Sequence, residues 1–199
     1  MTAPSPSDEH TVDSSVFRAT LRHEKLAARS ALDEKVRHAL ALRIEAHLEA
    51  LLLPYPPQTL AFCAPVRGEF DARPLVSRLI ERGWRAAMPI VEVADAPMIF
   101  RIWIPSSAMD IDRHGIPVPL GGAKISPDIV LLPLVAFDRN GFRIGYGGGY
   151  FDRTLAALVP RPLAIGVGFE LGRVADILPQ AHDLPLDAIV TEAGIMRHT

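Results

Sequence analysis

The chain has 199 residues, 49% hydrophobic and 22% charged, with a net charge of -2 and one cysteine. That length builds one well-cored domain and is short for two. The charge argues against a general nucleic-acid binder, and a lone cysteine excludes an intrachain disulfide, which favours a reducing compartment.

Residues 1–14, rich in Ser, Pro and acid, read as a disordered tail, and 15–199 as a single domain. The tail lacks the basic start and apolar core of a secretory signal. Pro, Arg or Asp interrupts every apolar run before it reaches bilayer length, so a cytoplasmic protein without membrane contact is expected. From Ser15, the spacing of Phe17, Leu21, Leu26 and Leu32 predicts a helix. A second helix runs over 34–53 and ends at Pro54-Tyr-Pro-Pro57. The texture then changes. Residues 59–64 read as a buried strand, Asp71 as the cap of a helix over 72–82, and Gly83 as its stop. Strands follow over 84–91 and 98–103. The most apolar run, Ile129 to Ala136, reads as the central strand. A helix over 150–158 and strands over 163–169 and 188–191 complete the order. This alternation predicts an α/β domain with a mostly parallel sheet and helices on both faces, and ligands bind beyond the C-terminal ends of such strands.

Five of the 14 glycines fall between Gly141 and Gly149, between the central strand and the helix that starts near Tyr150. Strand, glycine loop and helix start make an anion site, because bare amides approach the ligand at a helix N-terminus. Gly145, Gly147, Gly148 and Gly149 are placed to turn consecutive amides toward one phosphate, with Arg143 before the loop and Arg153 after it as planar two-pronged donors. A carboxylate beside bound phosphates needs a cation between them, so Asp152 suggests Mg²⁺. The alternative is a tight turn with a capping Asp. The loop lacks the Lys-Ser/Thr ending of a P-loop and the third glycine of the dinucleotide fingerprint.

On the first helix Arg18, Arg22 and Arg29 fall close to one face, with Lys25 nearby. They are either a solvated basic face or donors to a polyphosphate. Glu69 either bonds a substrate ring N–H or, with Asp71, precedes and caps a helix. Asp187 either joins Asp152 at a metal or ends a loop. His114 and His182 show no metal-ligand spacing and read as loop residues. Cys63 reads as a buried structural thiol, and Trp84 and Trp103 as core or pocket wall.

The stretch Leu132-Pro-Leu-Val-Ala-Phe-Asp-Arg-Asn-Gly-Phe-Arg-Ile-Gly-Tyr-Gly-Gly-Gly-Tyr-Phe-Asp-Arg153 resembles the signature of the 5-formyltetrahydrofolate cyclo-ligase family. Weaker pieces agree: Arg18-x-x-Leu21-Arg22 with Arg29, Gly68-Glu69, His114-Gly-Ile-Pro-Val-Pro119, Asp183-x-x-x-Asp187 and Thr191-Glu192. The resemblance implies a Rossmann-like α/β fold related to the sugar-phosphate isomerase and CoA-transferase group. It also implies conversion of 5-formyltetrahydrofolate to 5,10-methenyltetrahydrofolate with ATP and Mg²⁺. ATP would be held by Arg18, Arg22, Arg143, Ile144, Gly145, Tyr146, Gly147, Gly148, Gly149, Tyr150 and Phe151. The folate would lie against Ala64, Glu69, Trp103, Tyr146 and Tyr150, and the metal would sit at Asp152 and Asp187. Arg143, Arg153 and Asp152 would serve catalysis. The expected partners are these small molecules only, acting on a monomer, with a dimer as the alternative. Three positions depart from the family pattern: Arg18 stands where Lys is common, Gly148 where some members have Lys, and Phe151 where the second aromatic is commonly Tyr. A sugar-phosphate or CoA-transfer enzyme and a non-catalytic nucleotide or folate binder are the competing readings; the first would not need ATP and usually wants a clear catalytic Glu or Lys that the sequence does not show, and the second does not need the Asp152–Arg143 clamp.

Overall fold

A computed structural model describes residues 13–198; the sequence expectation for a tail over 1–14 otherwise lies outside them. Asp13 and Ser14, assigned to that tail, belong to the fold. The Asp13 side chain accepts from the Ser15 amide at 2.9 Å and caps α1 (Ser14–Ser30). Asp33 does the same for α2 (Glu34–Leu52), accepting from the Lys35 and Val36 amides at 2.8 and 3.3 Å. The third helix, α3 (Arg73–Glu81), starts one residue later than predicted and has Ala72 at its N-cap. Asp71 still accepts from the Arg73 amide at 3.0 Å, and Pro74 occupies the first turn, where its missing N–H costs no bond.

Among the described residues, seven strands form the main sheet: β1 (Thr59–Ala61), β2 (Arg85–Ile90), β3 (Ile99–Trp103), β6 (Ile129–Pro133), β9 (Leu163–Val167), β10 (Ala188–Thr191) and β11 (Gly194–Arg197). Their order is β11-β10-β9-β6-β1-β2-β3, so the apolar run at 129 is indeed central. The four inner pairings are parallel and the two outer ones, β2 with β3 and β10 with β11, antiparallel. Side chains alternate across the sheet. Leu60, Phe62, Met88, Leu131 and Ile165 face α2 and α3. Ala61, Ala87, Val130, Leu132 and Ala164 face the other way, toward Phe151, Leu155 and Leu158 of α4 (Tyr150–Ala157) and the residue after it. Helices thus cover both faces. Gly166 lies where the second layer is tightest: a Cβ there would meet Leu186 Cδ1 at 2.5 Å and Leu134 Cδ2 at 2.9 Å.

Five short strands were not foreseen. One is β11, which turns back along β10 after Gly194. The hairpin β4 (Met109–Ile111) with β5 (Pro117–Pro119) has proline at two of three positions on one side and is exposed throughout on the other, so it shows no alternation to read. The ribbon β7 (Ala136–Phe137) with β8 (Arg143–Ile144) splits the long apolar run after Pro133. The glycine loop therefore follows β8, rather than the central strand directly.

Candidate functional site

The cleft opens at the C-terminal ends of β1, β2 and β6, where a parallel sheet places its ligands. Its volume is about 780 Å³, room for more than one small ligand. One wall is the glycine loop, and another is Cys63–Glu69 after β1. The β4–β5 turn forms part of the rim, with the His114 ring edge-on to Tyr150 at 5.4 Å.

The loop is held from behind through its carbonyls. Arg22 Nε donates to the Gly145 carbonyl at 2.7 Å, and Arg153 Nη2 to that of Gly148 at 2.6 Å. Gly147 and Gly149 take φ values of 95° and 64°. As a result, none of the amides from Gly145 to Gly149 donates a hydrogen bond among the described residues. Five consecutive donors turned away from protein acceptors form an anion nest, and the N-terminus of α4 adds its dipole.

The basic residues of α1 do not form a solvated face. Lys25 Nζ donates to the Leu171 carbonyl at 2.8 Å, Arg22 to the loop, and Arg29 reaches the sheet. Arg18 pairs with Asp183 at 2.5 Å. Burial, then the neighbouring Arg18, lowers the Arg22 pKa; a guanidinium stays charged in proteins, so a cation stands against the loop.

Arg143 lies beneath the loop, 7% exposed. Burial lowers its pKa while the charge of Asp152, 3.1 Å away, opposes the shift. Its Nη1 donates to the Leu184 carbonyl at 3.0 Å, and the Leu184 amide donates to Asp152 Oδ1 at 3.1 Å. Every bond to Asp152 goes to Oδ1, so Oδ2 accepts none among the described residues. That free oxygen at the cleft fits one ligand to Mg²⁺. This ion is ordinarily held by one or two carboxylates plus phosphates, so the lack of a three-residue metal cluster among the described residues is no obstacle.

Glu69 sits on the opposite wall with its side chain 6% exposed. Its Oε1 accepts from the Tyr146 hydroxyl at 2.6 Å, and its Oε2 from the Val66 amide at 2.9 Å. Burial raises its pKa; the Tyr146 and Val66 bonds, Arg29 and Arg67 oppose the rise. Cys63, also on this wall, is pushed well up by burial and by Glu69 and Asp112, so its thiol is inert at neutral pH.

Of the residues singled out by sequence, the cleft is lined by Arg18, Arg22, Ala64, Glu69, Arg143, Gly145–Gly149, Tyr150, Phe151 and Asp152. Four are elsewhere. Ile144 is fully buried against Leu21, Ala136 and Ile177. Trp103 is core, edge-on to Phe62 at 5.0 Å. Arg153 braces the loop from behind, its guanidinium 4.9 Å from the Tyr150 ring centre. Asp187, expected at the metal, is outside the cleft: it pairs with Arg161 at 2.8 Å and accepts from the Ala164 amide at 2.7 Å, which ties β9 to the start of β10. The carboxylate that does reach the cleft is Asp183. Burial raises its pKa, but Arg18 and the Gln180 amide outweigh this and lower it. Asp183 was legible in principle, since it sits in the loop while Asp187 abuts a strand.

A family model described as the 5-formyltetrahydrofolate cyclo-ligase family matches residues 14–192. A 5-formyltetrahydrofolate cyclo-ligase of Escherichia coli strain K12 is 31% identical over 155 residues, spanning 72% of this chain and 85% of the relative. That of Haemophilus influenzae is 26% identical over 176 residues, spanning 85% and 94%. An NMR structure of Aquifex aeolicus 5,10-methenyltetrahydrofolate synthetase superposes with a TM-score of 0.80 at 28% identity, covering 91% of this chain and 92% of its own. A 5,10-methenyltetrahydrofolate synthetase from Mycoplasma pneumoniae gives 0.72 at 27%, covering 88% and 98%.

Proposed function

The chain belongs to the 5-formyltetrahydrofolate cyclo-ligase family, and on that premise we propose that it closes 5-formyltetrahydrofolate to 5,10-methenyltetrahydrofolate while ATP becomes ADP and phosphate. The observation that carries this reading is the row of free amides at Gly145–Gly149, backed by Arg22 and facing the same cleft as Glu69. One surface suits a triphosphate and the other a heterocycle with N–H donors.

The chemistry needs both. A formamide oxygen is a poor leaving group, and N10 of the folate is a weak nucleophile toward an amide. The formyl oxygen takes the γ-phosphoryl group from ATP, ADP departs, and an iminium phosphate results. N10 then attacks the activated carbon, the C–O bond breaks, phosphate leaves and the N10 proton passes to solvent. Such transfer depends on alignment and charge neutralisation more than on an acid or base. The loop amides and Arg22 hold the phosphoryl oxygens, and Arg143 fixes Asp152 from beneath. Arg18, paired with Asp183 at the same cleft, is a further cation for the triphosphate. Asp152 Oδ2 would hold Mg²⁺, which would supply charge neutralisation to the phosphoryl group. Glu69 accepts from the folate ring, and Ala64, Tyr146 and Tyr150 bound its pocket. No protein nucleophile is required.

The test is the near-ultraviolet absorbance rise of the methenyl product. It is expected with 5-formyltetrahydrofolate, ATP and Mg²⁺ together and absent when ATP or Mg²⁺ is left out. No rise from a folded protein with all three would overturn the reading. Within the same assay, Arg22→Ala removes a charged donor from the loop and raises the KM for ATP roughly tenfold or more, with the folate KM changing far less. The reverse pattern would put Arg22 on the wrong ligand.

A further inference from the structure

Arg29 is the most deeply buried basic residue of α1, at 4% exposure, and the phosphate site does not account for it. Its Nε donates to the Arg67 carbonyl and its Nη1 to the Leu134 carbonyl, each at 3.0 Å. Its Nη2 lies 2.6 Å from the Tyr146 hydroxyl. A guanidinium only donates. The Tyr146 oxygen is therefore the acceptor in that bond, and its own proton is left to point at the carboxylate 2.6 Å away, Glu69 Oε1. The Val66 amide fixes the other carboxylate oxygen. The plane of Glu69 is pinned at both ends, and the direction of each hydrogen bond follows from Arg29.

We infer that Arg29 is a positioning residue which, through Tyr146, holds Glu69 as a proton acceptor aimed at the folate ring. The inference rests on the proposed contact between Glu69 and the folate. Tyr146 stands between Gly145 and Gly147, so the relay also joins the folate wall to the phosphate loop. Its amide belongs to the loop's row of unpaired donors among the described residues, while its hydroxyl faces Glu69. The charged and titratable groups around Glu69 are Arg29 from α1, Arg67 and Cys63 from the segment after β1, Tyr146 from the loop, and Asp112 from the β4–β5 turn near Cys63. Burial raises the Glu69 pKa, and the Tyr146 bond is the largest opposing influence. Removing the hydroxyl lets the pKa rise further. Because the acceptor form is the ionised one, activity on the folate is then lost at a higher pH as the medium is acidified.

Arg29 also buttresses the fold, since it holds the carbonyl of Arg67, a non-glycine residue at φ 49°. The decisive variant is therefore Tyr146→Phe, which keeps the half-exposed ring and deletes only the hydroxyl. At saturating ATP, with enzyme-free blanks at each pH, Tyr146→Phe is expected to raise the folate KM roughly tenfold. It should move the acid limb of kcat/KM for the folate to higher pH and leave the KM for ATP nearly unchanged. Arg29→Lys should shift the same limb, and the double variant should fall short of the sum of the two singles, because Arg29 acts on Glu69 through Tyr146 as well as across a direct 3.7 Å ion pair. Glu69→Gln tells the two layers apart. If it raises the folate KM while Tyr146→Phe leaves both KM and acid limb at wild-type values, the relay is wrong and the Glu69–folate contact stands. If Glu69→Gln itself leaves the folate KM unchanged, the contact fails and the relay falls with it. A wild-type pH profile in a folded Arg29→Lys protein would reduce Arg29 to its buttressing role and overturn the inference.

Discussion

Replacing Asp152 with Asn lowers turnover by about a hundredfold or more and leaves the protein folded at the assay temperature, with a lowered melting temperature because the buried Arg143 loses its counter-charge. The two halves of this expectation come from the two carboxylate oxygens. Oδ1 is spent on the protein, accepting from the Leu184 amide at 3.1 Å and facing Arg143 at 3.1 Å. An Asn side chain keeps the first of these bonds and loses the charge opposite the buried Arg143, which costs stability without removing the fold. Oδ2 faces the cleft with no protein donor among the described residues, and Asn puts an NH₂ group there, which donates and does not ligate a cation. The measurement is kcat as a function of free Mg²⁺, alongside folate binding at equilibrium. Saturation should need far more Mg²⁺ or fail, while the folate binds as before. A variant that keeps wild-type kcat with an unchanged Mg²⁺ requirement would remove the metal role of Asp152. A drop in kcat with an unchanged Mg²⁺ requirement would instead assign the loss to a disturbed Arg143.

The long periodic helices and the apolar strands could be read from sequence because local pattern and burial agree there. Ile129–Pro133 is apolar at consecutive positions and lies between neighbours on both edges and layers on both faces. The β4–β5 hairpin could not, since Pro117 and Pro119 argue against a strand and Met109–Ile111 has no buried face to set a period of two. The glycine loop was visible through composition alone, yet composition does not say which way an arginine beside it points. Arg143 and Arg153 look equivalent on the page. One is buried beneath the loop with Asp152, and the other lies outside the cleft on the Tyr150 ring, because β8 fixes the first and a turn of α4 carries the second. Asp183 and Asp187 differ for the same kind of reason. Three residues separate them, but Asp187 is committed to Arg161 and the Ala164 amide at the N-terminal ends of β9 and β10, away from the cleft. Arg29 reads from sequence as part of a basic face or as a polyphosphate donor, and neither reading places it beside Glu69. Its burial depends on Leu134, Arg67 and Tyr146, which are distant in sequence, and no local signal announces such a partner set.

Gly147→Val is expected to abolish measurable ATP-dependent turnover, and the neighbouring glycine shows why the loop should be held responsible. Gly147 has φ 95°, a conformation that a β-branched residue adopts only under strain, on the order of 1–3 kcal/mol. A Cβ there would also lie 3.4 Å from Arg22 Nη2, in contact with the group that ties the Gly145 carbonyl. The chain relieves the strain by turning the peptide between residues 146 and 147, and turning it takes the Gly147 amide out of the nest. Gly145 is different. Its φ is not in the left-handed region and nothing lies within 4 Å of where its Cβ would be, so the protein alone does not demand glycine there. Gly145→Ala should therefore melt at the wild-type temperature. If a phosphoryl group occupies the space in front of the loop, the added methyl meets it, and the KM for ATP rises although the empty protein is undisturbed. Thermal melts with and without ATP separate the two causes, because a ligand that binds only the folded state raises the midpoint by an amount that grows with the logarithm of its affinity. Gly145→Ala with a wild-type midpoint alone and a smaller ATP-induced rise places the triphosphate against Gly145. An undiminished rise in that variant, together with full activity in Gly147→Val, would mean that the nucleotide binds elsewhere and that the glycine run serves only to make the chain turn.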